Sequence, residues 1–109
     1  MGALARYMIC ASYTTEGVKG VLKEGGTGRK DAIGKLLADL GGSLESLHFA
    51  FGEDDVYAIV ELPDNIGAAA VALAVGSSGS VRVKTTVLLT PEEIDRAVHT
   101  TVNYRPPGK

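Results

Sequence analysis

The sequence predicts an α+β fold with the element order β-α-β-β-α-β and one further helix at the C-terminal end. Three observations carry this. Leu44 to Leu62 holds two apolar runs on either side of Gly52-Glu53-Asp54-Asp55, which reads as a β-hairpin. Ile33, Leu36, Leu37 and Leu40 recur at i, i+3, i+4 and i+7, the spacing of one buried helix face. Thr90-Pro91-Glu92-Glu93 combines a Thr cap, Pro at the first helical position and Glu at the third, which is a capping box.

Taken in order, Arg6 to Tyr13 is the first strand. Tyr7, Ile9, Ala11 and Tyr13 fall on one face, and Met8, Cys10 and Ser12 on the other. Both faces are mostly apolar, as in a strand covered on two sides. Thr14-Thr15-Glu16 opens a helix, with Val18, Val21 and Leu22 as its apolar stripe. Gly25-Gly26-Thr27-Gly28 is expected to interrupt it, and the helix to resume near Asp31. Gly41-Gly42 ends it.

In the hairpin, Leu47, Phe49 and Phe51 alternate with Ser46, His48 and Ala50. Val56, Ala58, Val60 and Leu62 alternate with Tyr57, Ile59 and Glu61. The Leu47-Phe49-Phe51 face is expected under the helices, leaving Ser46, His48, Tyr57 and Glu61 on a mixed second face. Pro63-Asp64-Asn65 stops the strand and caps an Ala-rich helix, whose predicted stripe is Ile66, Ala69, Ala70, Leu73 and Ala74. Gly76-Ser77-Ser78-Gly79-Ser80 is a turn-rich break. Val81 to Leu89 is the last strand, with Arg82 and Lys84 on its second face. The capping box then starts a short helix to about His99. The tail, Val102 to Lys109, reads as extended.

The totals bound the function. The chain, residues 1–109, reads as one domain. It is 45% hydrophobic, which is more than one small core needs, and a second copy is the simplest cover for the excess. A net charge of -2 and the lack of a basic run give no case for nucleic acid or an anionic membrane surface. No apolar run approaches the ~20 residues of a membrane span. Met1 to Ala5 does not read as a secretory leader, and Met1-Gly2 lacks a myristoylation motif because Arg6 stands where Ser or Thr is needed. Cys10 is the one cysteine, so no internal disulfide forms, which suits a cytoplasmic location.

This order of elements is the ferredoxin-like split βαβ arrangement. Right-handed crossovers give a four-stranded antiparallel sheet in the order 4-1-3-2, with helices on one face. The chain also resembles a known family, the GYD domain proteins. The resemblance rests on Ala11-Ser12-Tyr13-Thr14, Glu24-Gly25-Gly26-Thr27-Gly28-Arg29, Phe51-Gly52, Asp55-Val56, Glu61-Leu62-Pro63-Asp64, Lys84 to Glu93 and Tyr104-Arg105-Pro106-Pro107-Gly108. In the naming motif Gly52 and Asp55 match, while Asp54 stands where the family's tyrosine would be. The family is similar to the dimeric α+β barrel group, which holds cofactor-free monooxygenases, small lyases and ligand-sensing domains. The resemblance therefore implies a dimeric architecture more than any one chemistry.

Several residues are candidates for a site. His48, with Tyr7, Tyr57, Glu61 and Arg82, makes one candidate pocket per subunit. There His48 serves as acid or base, or is a half-buried histidine bonded to Tyr or Glu. Gly26, Gly28 and Arg29, with Lys30, form a candidate anion loop, because turned amides and a helix start favour negative charge. The alternative is a helix joint with solvated basic residues. Glu53-Asp54-Asp55 reads as a solvated turn, since Ca²⁺ needs about six or more oxygens. Cys10, His48 and His99 lack zinc spacing, and Ser12 has no triad pattern. No metal and no cofactor are expected.

Three readings fit these residues. One is an oligomeric small-molecule-binding or regulatory module for a small acidic or aromatic metabolite. Another is a cofactor-independent isomerase, lyase or monooxygenase with His48 as acid/base. A structural assembly unit is the third reading. The expected protein partner is the chain itself, as a homodimer or higher homo-oligomer.

Overall fold

The structure is a computed structural model that describes residues 4–109. The Met1-Gly2 start discussed above lies outside the described residues. The elements are β1 (Ala5–Tyr13), α1 (Thr15–Asp39), β2 (Ser43–Phe49), β3 (Val56–Leu62), α2 (Asn65–Ser77), β4 (Val81–Leu88) and α3 (Pro91–Val98). The strands form one sheet in the order β2-β3-β1-β4, all neighbours antiparallel. This is the predicted 4-1-3-2 order read from the other edge, and the architecture is consistent with a ferredoxin-like fold.

Register fixes the two faces of the sheet. Tyr7 pairs Val60, Ile9 pairs Ala58 and Ala11 pairs Val56. These residues point to the helices, because side chains alternate along each strand. Glu45 is an extra residue between Leu44 and Ser46, a bulge that keeps Leu44 and Leu47 on that same face. The core is Tyr7, Leu37, Ala58, Val60, Leu62, Ala68 and Val71. Its largest members, Tyr7, Leu37, Leu62 and Val60, are essentially sealed.

Local chemistry sets each helix start. Thr14 caps α1 by accepting from the Gly17 amide, and Asp64 caps α2 by accepting from the Gly67 amide at 3.1 Å. The capping box of α3 is present in both directions, with Glu93 N donating to Thr90 Oγ1 at 3.1 Å and Thr90 N to Glu93 Oε1 at 2.9 Å.

Four expectations need correction. The break in α1 is a single residue, Gly25 (φ 83°, ψ 166°), rather than the whole stretch to Gly28. Helical geometry resumes at once, because Gly26 and Gly28 cost entropy but no hydrogen bond in a helix. Leu22 is also largely exposed, so the first half of α1 overhangs the sheet instead of burying its stripe. In α2 the buried residues are Ala68 and Val71, with Val75 packed on the core, while Ile66 and Leu73 face out. Finally, Phe51 lies beyond the end of β2 and is fully exposed.

α1 and α2 cover one face of the sheet. The molecule measures 57 × 38 × 22 Å. α3 buries none of its residues, and Ile94, Val98, Val102 and Tyr104 are exposed along α3 and the tail. No described helix is long and apolar enough to cross a membrane.

Candidate functional site

The sequence-predicted pocket does not assemble. His48, Tyr57, Glu61 and Arg82 share the sheet face opposite the helices, as alternation predicts. Tyr7 lies on the other face, because its pairs Val60 and Val87 both look toward the helices. There its hydroxyl donates to Asn65 Oδ1 at 2.7 Å. The other four are spread out. His48 is on edge strand β2 and Arg82 on the opposite edge strand β4. Three strand spacings of about 4.8 Å separate those edges. Arg82 sits beside Ser12, two rungs from the row that runs His48, Tyr57, Cys10, Lys84. Glu61 is four residues along β3 from Tyr57. Among the described residues, His48, Glu61 and Arg82 form no salt bridge.

The second face holds a polar cluster that the sequence did not reveal. Asp54 is buried, its side chain accepting from Ser12 Oγ at 3.1 Å and pairing with Lys84 Nζ at 3.1 Å. Asp55 accepts from the Tyr13 amide at 2.8 Å, and its own amide donates to the Ala11 carbonyl. The hairpin turn is thereby folded back on β1, and Asp54 is not solvated. The hydrogen bond from Lys84 to Asp54, then the charge of Asp54, raises the Lys84 pKa above its ordinary value. Only the acidic triplet in the turn signalled this cluster, and nothing local named its partners.

The best-formed cavity lies between the sheet and the helices. It has a volume of about 210 Å³. Ile9, Ile33, Leu37, Val71 and Val83 are among its apolar walls, and Arg29 is the one charged residue lining it. A wider opening of about 380 Å³ adjoins it and shares Tyr13, Arg29, Leu36, Val75 and Val81. Glu16 and Glu24 line that outer part. Burying apolar walls without filling them forfeits packing contacts, so the space is either a defect or a place for a ligand.

The glycine loop positions Arg29. Gly25 takes a backbone conformation open to glycine almost alone, and this redirects the second half of α1. Gly26 lies against the ring of Phe49, where a Cβ would come within 3.2 Å of Cε2. Arg29, one turn into the resumed helix, pairs with Glu24 across the kink at 3.5 Å. Gly26 and Gly28 therefore serve close packing here, and Arg29 alone of the three lines the cavity. No group of three metal-binding side chains exists among the described residues.

No curated protein matches the chain. The GYD domain model matches residues 7–98. That stretch runs from the first strand through the last helix. The chain belongs to the GYD domain family.

Proposed function

We propose that the chain is a small-molecule-binding module that works as a homo-oligomer. The cavity between α1, α2 and the sheet carries this reading. It is apolar, enclosed by a pre-formed scaffold and touched by a single charged side chain, the pattern of small-ligand sites. Its volume lies below the ~300–1,000 Å³ typical of drug-sized ligands, which favours a compact occupant. The enzymatic alternative built on His48 loses support, because His48 faces away from this cavity.

The test uses 1-hexanol as a compact apolar probe, followed by backbone amide chemical shifts. Shifts confined to residues around Ile9, Leu37 and Val83 support the reading. Their loss in Val75→Phe, which fills the wall shared by both chambers, supports it further. Hexanol that produces no shifts, or the same shifts in Val75→Phe, rejects it.

The oligomer rests on a separate observation. The radius of gyration is 17.0 Å. A compact chain of this length has roughly 13 Å. The chain is therefore extended, and along α3 and the tail Ile94, Val98, Val102 and Tyr104 are exposed. A second copy covers them. Native mass measurement of the wild type and of Ile94→Glu/Val98→Glu tests this: a multimer is expected for the first and a monomer for the second. A monomeric wild type rejects the assembly.

A further inference from the structure

We infer that the cavity takes a small organic acid, its apolar body inside and its carboxylate on Arg29, and that Glu24 is a built-in competitor for that position. The inference rests on the cavity reading above and adds the chemical class of the ligand and a device that controls its entry.

Arg29 stands where the apolar chamber meets the outer opening, since it lines both. Its guanidinium offers five donors in a planar fork suited to a carboxylate. In this structure one of them, Nη1, reaches Glu24 Oε2 at 3.5 Å. Charge-assisted pairs run to about 2.7–2.9 Å when well formed, and Arg–carboxylate pairs are often bidentate. The internal pair is thus long and single. Both side chains also keep substantial exposure, 31% and 40%, which further weakens it. An incoming carboxylate that engages the fork squarely gains more than Glu24 gives up.

The competitor has been given its place. A Cβ at Gly28 would lie 2.8 Å from Glu24 Cγ, so the missing side chain at Gly28 is the room into which Glu24 folds. Gly25, between them, holds the turn that brings Glu24 and Arg29 together across the kink. Glu24 also lines the outer opening, where a departing or arriving ligand passes. A carboxylate of the protein therefore occupies the head-group position while the chamber is empty, and an acid displaces it.

The experiment compares hexanoate with 1-hexanol, two probes with the same apolar chain. Affinities are measured by amide-shift titration on the wild type, Glu24→Gln, Gly28→Ala and Arg29→Gln, each checked for a native spectrum. Hexanoate is expected to bind the wild type more tightly than hexanol. Glu24→Gln should tighten hexanoate roughly two- to fivefold, the scale of an exposed ion pair, and leave hexanol unchanged. Gly28→Ala, which displaces the Glu24 side chain by bulk rather than charge, should act in the same direction. Arg29→Gln should weaken hexanoate roughly tenfold or more and spare hexanol. Hexanol binding with no preference for hexanoate, or a preference untouched by Glu24→Gln and Gly28→Ala, overturns this inference and leaves the cavity reading standing. Failure of both probes overturns the two together.

Discussion

The Tyr7 hydroxyl donates to Oδ1 of Asn65 at 2.7 Å, joining the middle of the sheet to the first turn of α2. Tyr7→Phe removes this bond; Tyr7 is buried but Asn65 is exposed and can turn to water, so the loss should cost about 0.5–1.5 kcal/mol, the net worth of one hydrogen bond, in a denaturant titration. The bond also gives the fold an alkaline limit. Burial, and then the negative charge of Asp64, raises the Tyr7 pKa from 10.0. A folded-state pKa above the unfolded one means stability that is complete below pH 10.0 and is lost as the pH rises through the folded value. The wild type should therefore lose stability above that pH more steeply than Tyr7→Phe. Parallel slopes in urea midpoints would show that Tyr7 does not set the limit.

Asp54 and Lys84 share an ion pair but should respond unequally. Asp54 is buried and also accepts from Ser12, whereas the Lys84 side chain is 65% exposed. Asp54→Ala removes both partners' acceptor and should cost about 1–3 kcal/mol. Lys84→Met should cost clearly less, because an ion pair with so exposed a partner is screened by water. Hydrogen exchange at the amides of Ala50 and Asp55, which close the hairpin turn, should speed up in the first variant only.

Two glycines should resist substitution for different reasons. At Gly17 a Cβ would run into the Ser80 carbonyl oxygen, in the tight contact between α1 and the approach to β4. Gly17→Ala should cost about 1–3 kcal/mol by overpacking. At Gly25 nothing stands near an added Cβ, but the positive φ penalises any side chain. Gly25→Ala should cost about 1–3 kcal/mol through backbone strain alone. A melting comparison with Gly34→Ala, which has open space and an ordinary φ and should be neutral or stabilising, separates both effects from simple loss of glycine.

The capping box gives α3 its own acid sensitivity. The hydrogen bond from the Thr90 backbone holds the Glu93 carboxyl below its ordinary value of 4.5. A lowered folded pKa means stabilisation present above about that pH and lost as the pH falls through the folded value. Thr90→Ala should cost about 1 kcal/mol of local helix stability. Because α3 buries none of its residues in the chain, the change should show in the exchange of α3 amides rather than in global melting. Equal exchange in wild type and variant would remove the cap's role.

Where chain-local chemistry decides structure, the sequence was explicit. Alternation over β1 and β3, the Thr90 box and the i, i+4 spacing of Ile33 and Leu37 located their elements and the strand order. It was silent where a choice is made across the chain. α2 reads Asn-Ile-Gly-Ala-Ala-Ala-Val-Ala-Leu-Ala-Val-Gly-Ser, so nearly every position is apolar and no polar face fixes its rotation. Close approach to the sheet selected the small Ala68 and Val71 over Ile66 and Leu73. The pocket was misplaced for a related reason. Alternation already put Tyr7 with Ile9 and Ala11, but grouping it with His48 required the opposite face. Arg29 was legible as a charged residue after a glycine loop. The chamber it meets is made by strands and helices far apart in sequence, and no local pattern encodes an unfilled volume.

The 22 Å thickness of this molecule leaves space for two layers and no third. Met8 and Ile59, on the side away from α1 and α2, are only half-buried, while Cys10 on that same side is buried. If the proposed second copy covers that side, drift there is expected to alter association well before it loosens the interior of a single chain.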